Sequence, residues 1–195
     1  MTAQIQDTVH YDGTAFALTA VDGVGLFDPT AHGLTPAVLS TACWRGFICT
    51  YRVDKGTLLL TDLEIGLREN QHPQQTPDLF GQPAVRARAK PFHEGALQYR
   101  PAAPIIFTGR LLLGAKGATD IYLNMGFRPA WFYQDVRELV FADGLLLSTT
   151  NRSAAAAETR AVLGPDGAKP QNGESISDWV DRTFSLTFEY SLPQR

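Results

Sequence analysis

The chain has 195 residues, of which 44% are hydrophobic, and its 17 basic and 20 acidic side chains give a formal charge of −3. A chain this long buries roughly 70% of its unfolded surface, enough for a core without metals or disulfides. Its composition excludes intrinsic disorder. The near balance of charge excludes the long-range field of a general nucleic-acid binder, and no apolar run approaches the ~20 residues of a membrane helix.

The opening stretch has neither the basic start nor the apolar run of a secretory signal, so a cytoplasmic location is expected. Val9 to Tyr11 and Thr14 to Leu18 flank Asp12-Gly13 as a short hairpin. Glycine accepts positive φ freely and aspartate tolerates it, which is what a tight hairpin turn demands. Asp22 to Gly25 and Asp28-Pro29 read as loop, and Thr35-Pro36 predicts a brief helix through Ser40.

Asp54-Lys55-Gly56 reads as a three-residue loop joining two strands, with Val53 opposite Thr57 and Tyr51 opposite Leu59. That register gives a core face of Phe47, Cys49, Tyr51, Val53, Leu59, Leu63 and Ile65. Cys43 and Cys49 are the only cysteines. On one strand they stand roughly 20 Å apart, too far for a disulfide, and read as free thiols of a reducing compartment.

Residues 66–103 form a polar, proline-rich excursion in which Arg86, Arg88 and Lys90 make a basic stripe resembling a solvated edge strand. Ile105, Phe107, Leu111 and Leu113 share a strand face, with Gly109 marking a bulge or a close backbone approach. A return strand follows at Asp120 to Asn124. Trp131 to Phe141 and Leu145 to Thr150 form a third hairpin, whose turn is either Asp143-Gly144 or Ala142-Asp143-Gly144. Ser153 to Leu163 has the alanine content and the glycine-proline stop of a helix, and Ser175 with Asp178 caps a single helical turn through Trp179. Phe184, Leu186, Phe188 and Tyr190 alternate with polar residues as a final strand. Three aspartate-glycine turns between alternating segments predict one mainly β domain, an antiparallel barrel or a two-sheet sandwich with two or three short helices.

Two segments carry a resemblance. Cys43-Trp44-Arg45-Gly46-Phe47 leads into a strand pair, and Phe107-Thr108-Gly109-Arg110-Leu111 runs on to Tyr122-Leu123-Asn124-Met125-Gly126-Phe127. Together these resemble an uncharacterised bacterial family with a Trp-Arg-Gly-aromatic and a Met-Gly-aromatic motif. The resemblance implies a bacterial β-rich protein and names no reaction.

Arg45 is the most suggestive single residue, because by strand parity it shares an apolar face with Cys43, Phe47 and Cys49. A guanidinium there needs either a structural carboxylate or a bound anion. Trp44, Trp131, Tyr133 and His10 complete the candidate ligand-binding set. Trp131 to Tyr133 places aromatics on both faces of a strand, and His10 stands beside Asp12. His10, His32, His72 and His93 lack metal-ligand spacing, and no nucleophile elbow, dinucleotide fingerprint or P-loop occurs, so neither metal nor cofactor is expected. The reading these features support is a non-enzymatic binding protein for a small apolar ligand or a partner protein, with room for a homodimer. The alternative is an enzyme holding a small anionic substrate on Arg45 in a barrel pocket.

Overall fold

The computed structural model describes residues 2–66, 76–87, 96–118, 121, 123 and 125–193. It is mainly β, and seven strands close into a barrel. In chain order the strands are β1 (Thr8–Tyr11), β2 (Thr14–Val24), β3 (Phe47–Asp54), β4 (Thr57–Ile65), β5 (Val85–Arg86), β6 (Leu97–Tyr99), β7 (Ala103–Pro104), β8 (Thr108–Gly117), β9 (Tyr133–Ala142) and β10 (Leu145–Asn151). The ring runs β4-β3-β1-β2-β8-β9-β10 and returns to β4. All its pairings are antiparallel except β1 with β3, which run parallel from Thr8 opposite Thr50 to His10 opposite Arg52. Closure rests on Leu145 opposite Thr57, with the Leu58 amide donating to the Gly144 carbonyl at 2.9 Å and the Leu146 amide to that of Gly56 at 2.7 Å. The rest of the β4 edge is taken by β7 and β6, and β5 extends from β6.

Each of the three hairpin turns has two residues at positive φ. They are Asp12 and Gly13 at 47° and 73°, Lys55 and Gly56 at 49° and 82°, and Asp143 and Gly144 at 49° and 80°. This mirror-image turn matches the right-handed twist of the strands it joins. The third hairpin thus turns on Asp143-Gly144 alone, with Ala142 opposite Leu145. The second corrects the expected three-residue loop, since Asp54 pairs Thr57 and Val53 pairs Leu58. Leu58 and Leu60, rather than Leu59, therefore turn inward beside Val53 and Tyr51. A bulge near Thr61 restores the anticipated parity, so Leu63 and Ile65 still face the core opposite Cys49 and Phe47.

The barrel interior is packed by Val9, Phe16, Leu18, Tyr51, Leu60, Leu111 and their neighbours, with Phe107 and Phe141 edge-on at 6.0 Å. Gly109, at φ 145°, lies against the backbone of Asp22 and Gly23, the close approach its position suggested. β2 continues to Val24, so the loop expected at Asp22 to Gly25 is largely strand. Thr35 to Ser40 does not form the expected helix. The Ala37 and Leu39 amides donate to the Gly66 and Cys43 carbonyls, across the chain rather than along it, and the local 3-10 turn is Pro29–His32. Ile121 and Leu123, the described part of the expected return strand, are not in a strand.

A second core covers the outer face of β2, β8 and β9, where Ala20, Leu112, Trp131, Phe132 and Val136 meet helix α1 (Ser153–Leu163) through Ala156. Helix α2 (Ile176–Thr183) starts at Ser175, whose hydroxyl accepts the Asp178 amide at 3.1 Å and donates to its carboxylate at 2.7 Å. It runs two turns rather than one. The expected final strand at Phe184 to Ser191 is a correction: the chain turns at Phe184 and forms the short helix α3 (Phe188–Ser191), capped by Thr187. Its aromatics are spent locally, with Phe184 against Trp44 at 5.5 Å and Phe188 under the Arg110 guanidinium at 4.2 Å. Of the basic stripe, Arg86 sits on the exposed edge strand β5, while Arg88 and Lys90 lie outside the described residues. Among the described residues no helix is long and apolar enough to cross a membrane.

Candidate functional site

Arg45 precedes β3 instead of lying in it, because Gly46 turns the chain at φ 81° before Phe47 enters the ladder. That turn aims the guanidinium at Asp7, just ahead of β1, whose carboxylate is only 4% exposed. Arg45 Nη1 donates to Asp7 Oδ2 at 3.0 Å, Nη2 donates to Oδ1, and Nε donates to the Phe47 carbonyl at 2.8 Å. The Cys49 amide completes the set, donating to Asp7 Oδ1 at 2.6 Å. Burial works against the Arg45 charge, but the Asp7 charge and hydrogen bonds outweigh it and raise its pKa. The rings of Phe47 and Phe127 flank the guanidinium at 4.7 and 5.9 Å. The predicted anchor is a two-pronged ion pair with its charge already neutralised. Asp7, 38 residues away in sequence, had no local signature that could have named it.

The remaining predicted residues scatter around this pair. Trp44 is 46% exposed and leans on Phe184. Tyr133 is buried, donates its hydroxyl to Gln6 Oε1 at 2.9 Å, and has its pKa pushed up to about 12 by burial. Trp131 is buried in the second core, and both its carbonyl and that of Tyr133 accept from Arg160 Nη1. His10 is half-buried in the ladder between Ala15 and Arg52 and shares no hydrogen bond or ring contact with the others among the described residues. His72 and His93 lie outside the described residues. Cys43 and Cys49 are free, buried thiols. Burial pushes both up, Cys49 well above its ordinary value with the Asp7 charge adding to the shift, so neither is a ready nucleophile. Among the described residues no histidine, cysteine and carboxylate group could hold a metal.

Sequence reasoning missed the cavity itself. A cleft of about 540 Å³ opens outside the barrel, between the second core and the C-terminal helices. Its apolar lining comes from Trp131, Leu163, Tyr190 and Pro193. One wall is held by Arg182, whose Nε and Nη2 grip Glu174 at 2.6 and 2.8 Å while its guanidinium lies 5.5 Å from the Tyr190 ring. Hydrogen bonds from Arg182 and from the Gln171 amide pull Glu174 down to about 2, and burial pushes Tyr190 up to about 12. Asp181, Glu189, Ser185, Thr187 and Gln171 supply the other polar groups of the lining.

Comparison with known protein families, curated proteins and solved structures finds no match to this chain. The two sequence motifs nevertheless meet in space. Gly126 lies against the Thr183 backbone and bridges Ala3, Phe127 approaches Arg45, and Trp44 touches Phe184. Both motifs therefore serve to fasten the end of the barrel to the C-terminal helices.

Proposed function

We propose that the protein is a binding protein whose ligand seat is this outer cleft, and that it takes a small molecule with an apolar body. The observation that carries the reading is the cleft's size and lining together. About 540 Å³, floored by Trp131, Leu163, Tyr190 and Pro193 with a few polar groups around them, falls within the roughly 300–1,000 Å³ of ligand pockets of that character. The barrel interior, the other expected seat, is occupied by its own side chains. Arg45 is engaged by Asp7 on two oxygens, which weighs against an enzyme that anchors an anion there.

Native mass spectrometry of freshly purified protein, followed by an NMR fragment screen, tests the reading. Retained or added small molecules should perturb the Trp131 indole and the Leu163 methyls with the Tyr51 region unmoved. Fragments that bind only elsewhere, or none that bind at millimolar concentration, would refute it.

A further inference from the structure

We infer that the cleft selects a small organic cation, an amine or quaternary ammonium attached to a flat apolar group. The inference rests on the cleft being the ligand seat and adds the sign of the ligand's charge. Residues 153–193 contain six acidic and three basic side chains, so this segment carries the whole formal −3 of the chain and the rest of the sequence balances. The helical segment thus bears a net negative charge between the flanking Arg152 and Arg195, and it supplies all of the cleft lining except Trp131.

Of the three cations in this segment, Arg160 turns to the backbone carbonyls of Trp131 and Tyr133, and the other two are paired with carboxylates. Arg182 is neutralised by Glu174, and Lys169 by Asp166 at 2.6 Å. Asp181 and Glu189 line the cleft, are exposed, and form no ion pair with any described residue. Their fields add over the opening, where a cation gains and an anion loses. Below them Trp131, Leu163 and Pro193 offer apolar surface for the ligand's body. Tyr190 already receives one guanidinium near its ring, the environment that aromatic rings offer to cations generally.

The test titrates three isosteric probes into the full chain, followed by amide and indole NMR. They are phenyltrimethylammonium, neutral tert-butylbenzene and anionic benzenesulfonate. The ammonium should shift cleft resonances at lower concentration than the other two, with an advantage that shrinks in about 0.3 M salt. Asp181→Asn and Glu189→Gln should each weaken it about two- to fivefold, the range for a partly solvated charge pair. Melting temperatures should stay unchanged, because both side chains are exposed. Equal or tighter binding of the neutral or anionic probe in the same cleft would overturn the charge assignment and leave the ligand seat standing. No response of the cleft to any of the three would overturn both.

Discussion

Replacing Asp7 with asparagine removes the buried charge of a pair that the fold has largely withdrawn from water. Asp7 is 4% exposed and Arg45 23% exposed, so the stranded guanidinium keeps only partial access to water. Breaking one side of a buried ion pair costs about 3–5 kcal/mol, and the residual exposure of Arg45 places D7N near about 3 kcal/mol. For a chain of this length that lowers the melting temperature by roughly 6–12 °C. Arg45→Met strands the more deeply buried partner. It leaves Asp7 with the Cys49 amide as its remaining donor, and is expected to cost at least as much. The double variant D7N/R45M buries neither charge, and methionine still packs between Phe47 and Phe127, so its loss should be far smaller than the sum. Urea unfolding of all four proteins, followed by far-ultraviolet circular dichroism, closes the cycle, with an expected coupling of about 2 kcal/mol or more. Single losses below about 1 kcal/mol, or strict additivity, would refute the claim that this pair is largely withdrawn from solvent.

Two further outcomes follow from separate features. Glu174 has its folded pKa pulled from 4.5 to about 2, so the stabilisation it brings is present above its unfolded pKa and is lost as pH falls through the folded one. Melting temperature measured from pH 4.5 down to 2 should therefore fall less steeply in Glu174→Gln than in the parent, and parallel curves would contradict the Arg182 pairing. Gly46→Ala and Gly56→Ala compare two glycines at nearly the same φ. At Gly56 nothing lies near the added methyl and the cost is about 1 kcal/mol of backbone strain. At Gly46 the methyl meets the Ala37 carbonyl, and the loss in chemical denaturation should be more than twice as large. Equal losses would show that Ala37 yields freely.

The hairpins were legible because their turns demand positive φ, which Gly13, Gly56 and Gly144 adopt freely and Asp12 and Asp143 tolerate, whereas nothing marks Lys55 for its φ of 49°. The slip at Lys55-Gly56 was not legible, since the bulge near Thr61 cancels it and leaves Leu63 and Ile65 on the expected face. The C-terminal segment misled for a physical reason. Phe184 and Phe188, like Leu186 and Tyr190, are four residues apart, a spacing that shares one face of a strand and one face of a helix alike. Packing against Trp44 and Arg110 decided the matter, and those contacts span well over seventy residues of sequence. Arg45 was correctly singled out as a charge needing an answer, but nothing around Asp7 marks it as that answer. The cleft was invisible because Trp131 reaches it from the barrel's flank while its other walls come from residues beyond 162.

The narrow join between β4 and β10 gives the barrel a latch where other strand pairs have a zipper. Two hydrogen bonds, from the Leu58 and Leu146 amides, hold the tips of two hairpins together, outside either hairpin's own ladder. The segment after β7 braces that corner, with the Ile105 amide donating to the Leu58 carbonyl at 2.9 Å and the Gly144 amide to that of Phe107 at 2.8 Å. One short stretch of chain thus ties together two hairpins whose own ladders never meet over more than a single residue pair.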